Sequence, residues 1–478
     1  MNIKSLLKDT AIYGLSSIVG RFLNYLLVPL YTYKIAAESG GYGIVTNLYA
    51  YSALLLALLT FGMETTFFRF SGRKDKDSDK VYSAALCLVG GVAVLFLVLV
   101  FSFLKPISAA MGYASHPEYI GCFALIGAMD AVQAIMFSRL RQQRKPFRFM
   151  ALKMTYIVLN IALNLFIFLL MPKIGALQPI FQRFDGGVGL IFFANLFCTS
   201  FVMLLFLPQF RYLKYGISLQ LAKEMLRYSF PLLLLSLVGI LNQVADKILF
   251  PYLVSGPDGQ VQLGIYGACV KIAMIMALLT QAFRYAYEPV VFSGKDKNSP
   301  QTLAQGMKFF VLFTELAWLA VMLFLPVLKF FIQPGYWEGL KVVPVVMAAE
   351  VFMGIYFNLS FWYKLSDRTW WGALMSAIGA AVMIAVNILF VPKYGYMACA
   401  WGGFAGYGTT MLLSYCIGQK KYPVHYELRT MALFTLMALA IYLLNGLYSA
   451  FLSMLWSLAV SAVMLLIFAY LIYKELKK

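Results

Sequence analysis

The sequence predicts an all-α polytopic membrane protein of about fourteen transmembrane helices, grouped as two six-helix halves followed by two more. Three observations predict it. Of 478 residues, 62% are hydrophobic and 12% charged, whereas soluble domains are about half apolar and about a quarter charged. Apolar runs of about 20 residues, enough to cross ~30 Å of hydrocarbon, recur from Thr10 to Tyr473, and mean hydropathy is +0.79. Cations gather in alternate loops.

The runs fall at 10–33, 44–68, 81–104, 118–138, 149–171, 187–208, 229–254, 264–288, 305–331, 342–363, 370–391, 397–417, 430–447 and 451–472. They are continuously apolar and too long for barrel strands, which alternate over about ten residues. The first is too long for a cleaved signal and contains Arg21. With the N-terminus inside, cytoplasmic segments carry 26 Lys and Arg against 7 on the other side. The bias persists through every hairpin and sets both termini in the cytoplasm. Most of the formal charge of +19 is thereby assigned to topology and to anionic membrane lipids, with no nucleic acid partner.

The composition excludes several chemistries. All six cysteines lie in apolar runs without a C-x-x-C, and His116 and His425 are far apart, so no disulfide scaffold, metal site or cofactor is expected. No phosphate-binding G-x-x-x-x-G-K-[ST] loop occurs, which leaves an ion gradient, of H+ or Na+, as the drive for any transport.

An internal repeat spaces two halves by about 222 residues. Tyr42-Gly43, Ala57-Leu58-Leu59-Thr60 and Ser71-Gly72-Arg73-Lys74-Asp75-Lys76 are matched in order by Tyr266-Gly267, Ala277-Leu278-Leu279-Thr280 and Ser293-Gly294-Lys295-Asp296-Lys297. Pro29 corresponds to Pro251. The boundaries read as an N-terminal lobe at 1–208, a cytoplasmic linker at 209–228, a C-terminal lobe at 229–417 and two additional helices within 430–473. Six spans per copy keep both copies in one orientation, with the pathway between them.

Charges inside spans mark the candidate site, since each costs at least about 2.5 to 3.5 kcal/mol at the bilayer centre unless it faces protein, water or ligand. Arg21 with Asn24, Lys247 and Lys271 are the candidate substrate ligands, while Asp130, Asp246, Arg284, Glu288, Glu315 and Glu350 are candidate coupling or structural charges. Arg21 and Asp130 reach similar depths and are alternatively a structural pair, as are Asp246 and Lys271. Arg284 and Glu288, one turn apart, read as an interfacial pair. Glu315 and Glu350 stand alone in apolar runs, either to exchange a proton or to hydrogen-bond a neighbouring helix. Trp337, Trp362, Trp370 and Trp371 read as interfacial anchors, and Gly402, Gly403 and Gly406 as close helix packing.

The stretch from Gly20-Arg21-Phe22-Leu23-Asn24 through Pro29-Leu30-Tyr31-Thr32, then Tyr42-Gly43 and Gly62-Met63-Glu64-Thr65-Thr66-Phe67-Phe68-Arg69-Phe70, resembles the polysaccharide-transporter (Wzx-type oligosaccharide flippase) family of bacteria, as does Asn242-Gln243-Val244-Ala245-Asp246-Lys247. The six plus six plus two pattern is similar to that of the multidrug/oligosaccharidyl-lipid/polysaccharide exporter superfamily. The resemblance implies two lobes in a V around a cationic central cavity. It implies a monomeric inner-membrane carrier of undecaprenyl-diphosphate-linked oligosaccharide, working beside a polysaccharide polymerase. It also places Arg21 and Lys271 on helices that supply basic cavity residues in related lipid II flippases. The competing readings are a multidrug exporter holding organic cations on Asp130, Asp246 and Glu350, a lipid II flippase, and a membrane glycosyltransferase or ligase. The longest outer connection, about fifteen residues from Pro172 to Gly186, is short for the last of these.

Overall fold

A computed structural model describes residues 23, 25–72, 77–214, 218–292, 300–366 and 368–477. Arg21, Asn24, most of the first expected span and the charged segments 73–76 and 293–299 lie outside the described residues. The described chain is helical throughout and clusters into two compact units, Met1–Pro251 and Tyr252–Lys478. Twelve described helices are long and apolar enough to cross a membrane. The chain is thus an all-α polytopic membrane protein. A thirteenth long helix, Tyr396–Lys421, coincides with the twelfth expected span, and Gly402, Gly403, Gly406, Gly408 and two terminal lysines dilute its hydropathy.

In the first unit the principal helices are α1 (Leu27–Lys34), α2 (Gly41–Thr60), α3 (Met63–Ser71), α4 (Ser78–Ser102), α5 (Pro117–Gln142), α6 (Pro146–Leu165), α7 (Val188–Phe206) and α8 (Leu219–Leu253). Proline opens α5 and α6, where its missing N–H has no intrahelical partner to lose. Asp77 caps α4 by accepting from the backbone N–H of Asp79 at 2.9 Å. α8 begins ten residues before the expected span at 229, because Leu219 to Tyr228 are mostly good helix formers whatever their polarity. Met63, Phe67, Tyr82, Ala131, Ile135, Phe206 and Met225 form a dry core between α3, α4, α5, α7 and α8.

In the second unit the helices are α9 (Pro257–Phe292), α10 (Pro300–Leu323), α11 (Val343–Leu359), α12 (Phe361–Leu365), α13 (Trp370–Tyr394), α14 (Tyr396–Lys421), α15 (Leu428–Phe451) and α16 (Met454–Leu476). α13 and α14 approach closely through glycine: a Cβ at Gly379 would lie 2.7 Å from the Gly406 carbonyl, and one at Gly402 would lie 2.4 Å from Asn387 Oδ1. Gly403 has open space beside it and takes no part in that contact. Trp362 is also no surface anchor: it is 4% exposed, packed over Gly418. Depth along a helix is readable from sequence, whereas the direction a side chain faces is not.

Both units carry an apolar exterior. Leu95, Val98, Leu436, Leu443 and Leu455 are all more than half exposed. Such surface is expected of helices solvated by lipid. Outside the spans, Lys214 Nζ meets Asp77 Oδ2 at 2.8 Å. That hydrogen bond holds the Asp77 carboxyl below its ordinary value and raises the Lys214 ammonium. The clasp is complete at neutral pH, is lost as pH falls through the lowered Asp77 value or rises through the raised Lys214 value, and is weak because it is exposed.

The repeated motifs occupy like environments, with Tyr42 and Tyr266 each 3% exposed and Thr60 and Thr280 both buried. They differ after the threonine. α9 continues unbroken, whereas Phe61 (φ 33°) and Gly62 (φ 73°) adopt left-handed backbone and split α2 from α3. A Cβ at Gly62 would also lie 2.7 Å from Leu232 Cβ on α8. Gly62→Ala should therefore destabilise the protein by about 1–3 kcal/mol. Gly90→Ala, in open space within α4, should be neutral or stabilising by up to ~1 kcal/mol. Thermal unfolding of both variants in the same detergent checks the contrast.

Candidate functional site

In the first unit, five helices turn polar groups toward one another. Asp130 on α5 lies within hydrogen-bond reach of Thr199 on α7 and faces the ammonium of Lys153 on α6. Asp130 is half-buried, and Lys153 is exposed with its Nζ 4.2 Å from the Phe137 ring centroid. Around Thr199, Gln133 Nε2 donates to its carbonyl at 2.9 Å. Asn195 Oδ1 accepts from Tyr156 at 2.6 Å, and Asn195 Nδ2 donates to Tyr49 Oη at 3.0 Å. On α6, Asn164 Oδ1 accepts from Tyr31 at 3.0 Å. These links tie α1, α2, α5, α6 and α7 together at membrane depth, where a polar group without a partner is costly.

Sequence reading did not single out Lys153. Lys153 is the fifth residue of its expected span, close to the boundary, so the depth rule that marked Asp130 passed over it. Arg21, the expected alternative partner of Asp130, lies outside the described residues.

A second constellation in this unit centres on α8. Both carboxylate oxygens of Asp246 accept from Lys247 Nζ at 3.0 Å, and the same ammonium reaches the Gln243 carbonyl at 3.1 Å. Asn47 on α2 donates to the Lys247 carbonyl at 2.8 Å and accepts from Tyr113 at 2.8 Å. Asp246 thus takes its own neighbour, Lys247, as an ion-pair partner. Lys271, the partner considered from sequence, lies half-buried on α9 in the second unit. At the charge-rich end of the first unit, Glu64 pairs with Arg141 at 2.8 Å, while Arg69 stacks on Tyr228 at 4.3 Å.

In the second unit Arg284 Nε meets Glu288 Oε1 at 3.1 Å, and Lys364 approaches the same oxygen at 3.4 Å. Lys308 on α10 receives Glu427 at 2.7 Å and Glu475 at 3.1 Å, fastening the C-terminal helix pair at one end. One helical face further along α10, Glu315 Oε1 accepts from Thr435 of α15, and Trp318 lies edge-on to Tyr442. Glu315 is 7% exposed. Glu350 is half-buried on α11. Among the described residues there is no group of three metal-ligating side chains.

Long, lipid-solvated helices in two compact units, with charged groups inside the spans, define a polytopic membrane protein. The family described as polysaccharide biosynthesis protein matches residues 6–295, and the chain belongs to that family. Among solved structures, the chain is similar to a lipid II flippase MurJ in an inward closed conformation, with 15% identity, 98% of this chain and 99% of that chain covered, and a TM-score of 0.77. It is also similar to an inward-facing multidrug resistance MATE family transporter of the MOP superfamily, at 17% identity, 83% and 93% coverage and a TM-score of 0.65. An outward-facing transporter of that kind gives 14%, 86% and 95%, and 0.56. These likenesses show the fold. A comparison with curated proteins gives no match.

If Lys153 and Asp130 stabilise each other, a double-mutant cycle of Lys153→Met and Asp130→Asn should give a coupling energy of about 0.5–3 kcal/mol in thermal unfolding. Additive losses would show instead that the two charges serve separate purposes.

Proposed function

We propose that the protein flips an undecaprenyl-diphosphate-linked oligosaccharide, a repeat unit for O-antigen, capsule or exopolysaccharide, from the cytoplasmic to the outer leaflet of a bacterial inner membrane. The observation that carries this reading is membership of the polysaccharide biosynthesis family. Coverage agrees with it: the lipid flippase is matched over 98% of this chain, the two multidrug transporters over 83% and 86%.

The chemistry is consistent with that cargo. A diphosphate with several sugars cannot cross ~30 Å of hydrocarbon unaided. Cations at membrane depth attract the diphosphate, while the isoprenoid tail stays in lipid. Arg21, Asn24, Lys247 and Lys271 are the proposed headgroup ligands, and Lys153 joins them as a further cation on a membrane-spanning helix beside the polar groups of the first unit. Alternating exposure of the site to the two sides, driven by H+ or Na+, would complete the cycle. No covalent bond is made or broken. The 26 to 7 cation bias supports a cytoplasmic position for both termini.

Arg21→Ala and Lys271→Ala should each abolish surface glycan in a complementation strain while membrane levels of the protein stay normal. Full glycan export by both variants would remove them from the site. Retention of lipid-linked diphosphate on the purified protein, weakening with salt, should accompany activity.

A further inference from the structure

A cavity of about 620 Å³ lies within the second unit between α10, α11, α14 and α15. Its size falls inside the ~300–1,000 Å³ of small-molecule sites. The wall is aliphatic and aromatic, with rings from Trp318, Phe352, Phe404, Tyr415 and Tyr426. Glu315 is the one ionisable carboxyl that lines it, and no Lys, Arg or His does. Its Oε1 is engaged by Thr435, whereas Oε2 is buried without a hydrogen-bond partner. Lys308, two turns back on α10, is already held by Glu427 and Glu475.

A buried acceptor in an apolar, ring-lined space selects its occupant by charge. An anionic amphiphile meets repulsion at Glu315, and a neutral alcohol supplies only an uncharged donor. A protonated amine supplies a charge-assisted hydrogen bond to Oε2, and its charge is further stabilised by neighbouring ring faces. An apolar body then fills the remaining volume. We infer that this cavity binds a lipophilic amine, with the ammonium on Glu315 Oε2 and the apolar body along α11, α14 and α15. This is a different ligand class from the anionic glycolipid, and the inference does not rest on the identity of the cargo.

The test uses the full-length protein in neutral phosphatidylcholine nanodiscs and three ω-brominated probes of equal chain length: a primary amine, an alcohol and a fatty acid. Bromine quenches tryptophan, and Trp318 lies in the wall. The amine should quench saturably, and Trp318→Phe should remove that component. The alcohol and the acid should bind at least about tenfold more weakly, as expected for loss of one charged hydrogen bond. Glu315→Gln should weaken the amine about tenfold and leave the alcohol unchanged. Ala432→Phe, which adds a ring to the cavity wall without a new tryptophan, should weaken saturable quenching by all three. Equal binding of amine and alcohol to the unaltered protein would overturn the inference and leave a pocket for apolar chains alone. Should Glu315→Gln not fold, that comparison of probes decides by itself.

Discussion

In hydrocarbon, no water is present to satisfy a polar group, so each one must find its partner inside the protein. The architecture follows from that constraint. The backbone closes its hydrogen bonds within long helices, and several side-chain charges inside the spans pair or rest on rings, while Glu315 leaves one oxygen open to the cavity. Asp246 takes both oxygens to Lys247, and Lys153 stacks on Phe137 while facing Asp130; at the span ends Lys308 is held by two carboxylates. The tyrosine and asparagine links of the first unit extend the same rule to neutral groups.

Much of the fold was legible because span length, loop charge and apolar continuity are one-dimensional properties. The described spans overlap their expected places, with ends that differ by up to ten residues, and α14 was recognisable as a helix even though its glycines make it less apolar. What failed was azimuth. Sequence places Asp130 at a depth but does not say which helix faces it, so Lys153 on α6 was missed. Trp362 illustrates the same gap: a tryptophan near a span end points inward here because Gly418 leaves a slot for its indole. Only local pairs escape the difficulty, and Arg284 with Glu288, one turn apart on one helix, is such a pair.

Two features give the chain more than a generic bundle. The left-handed break at Phe61-Gly62 divides a helix at a place where its repeat partner in the second unit is continuous, and α8 packs directly against the break. The C-terminal pair α15 and α16 is fastened to α10 by a charged link at Lys308, a carboxyl link at Glu315 and a ring contact at Trp318. Those three links run along one face of α10, and the apolar cavity opens beside them.

The most direct measurement is movement of the cargo itself. In proteoliposomes holding only this protein and a fluorescent undecaprenyl-diphosphate oligosaccharide, a membrane-impermeant lectin should gain access to headgroups initially confined to the lumen. The rate should rise when an H+ or Na+ gradient is imposed and remain independent of nucleotide. Headgroups that stay protected under every gradient, in vesicles that nonetheless transport an organic cation, would contradict the account.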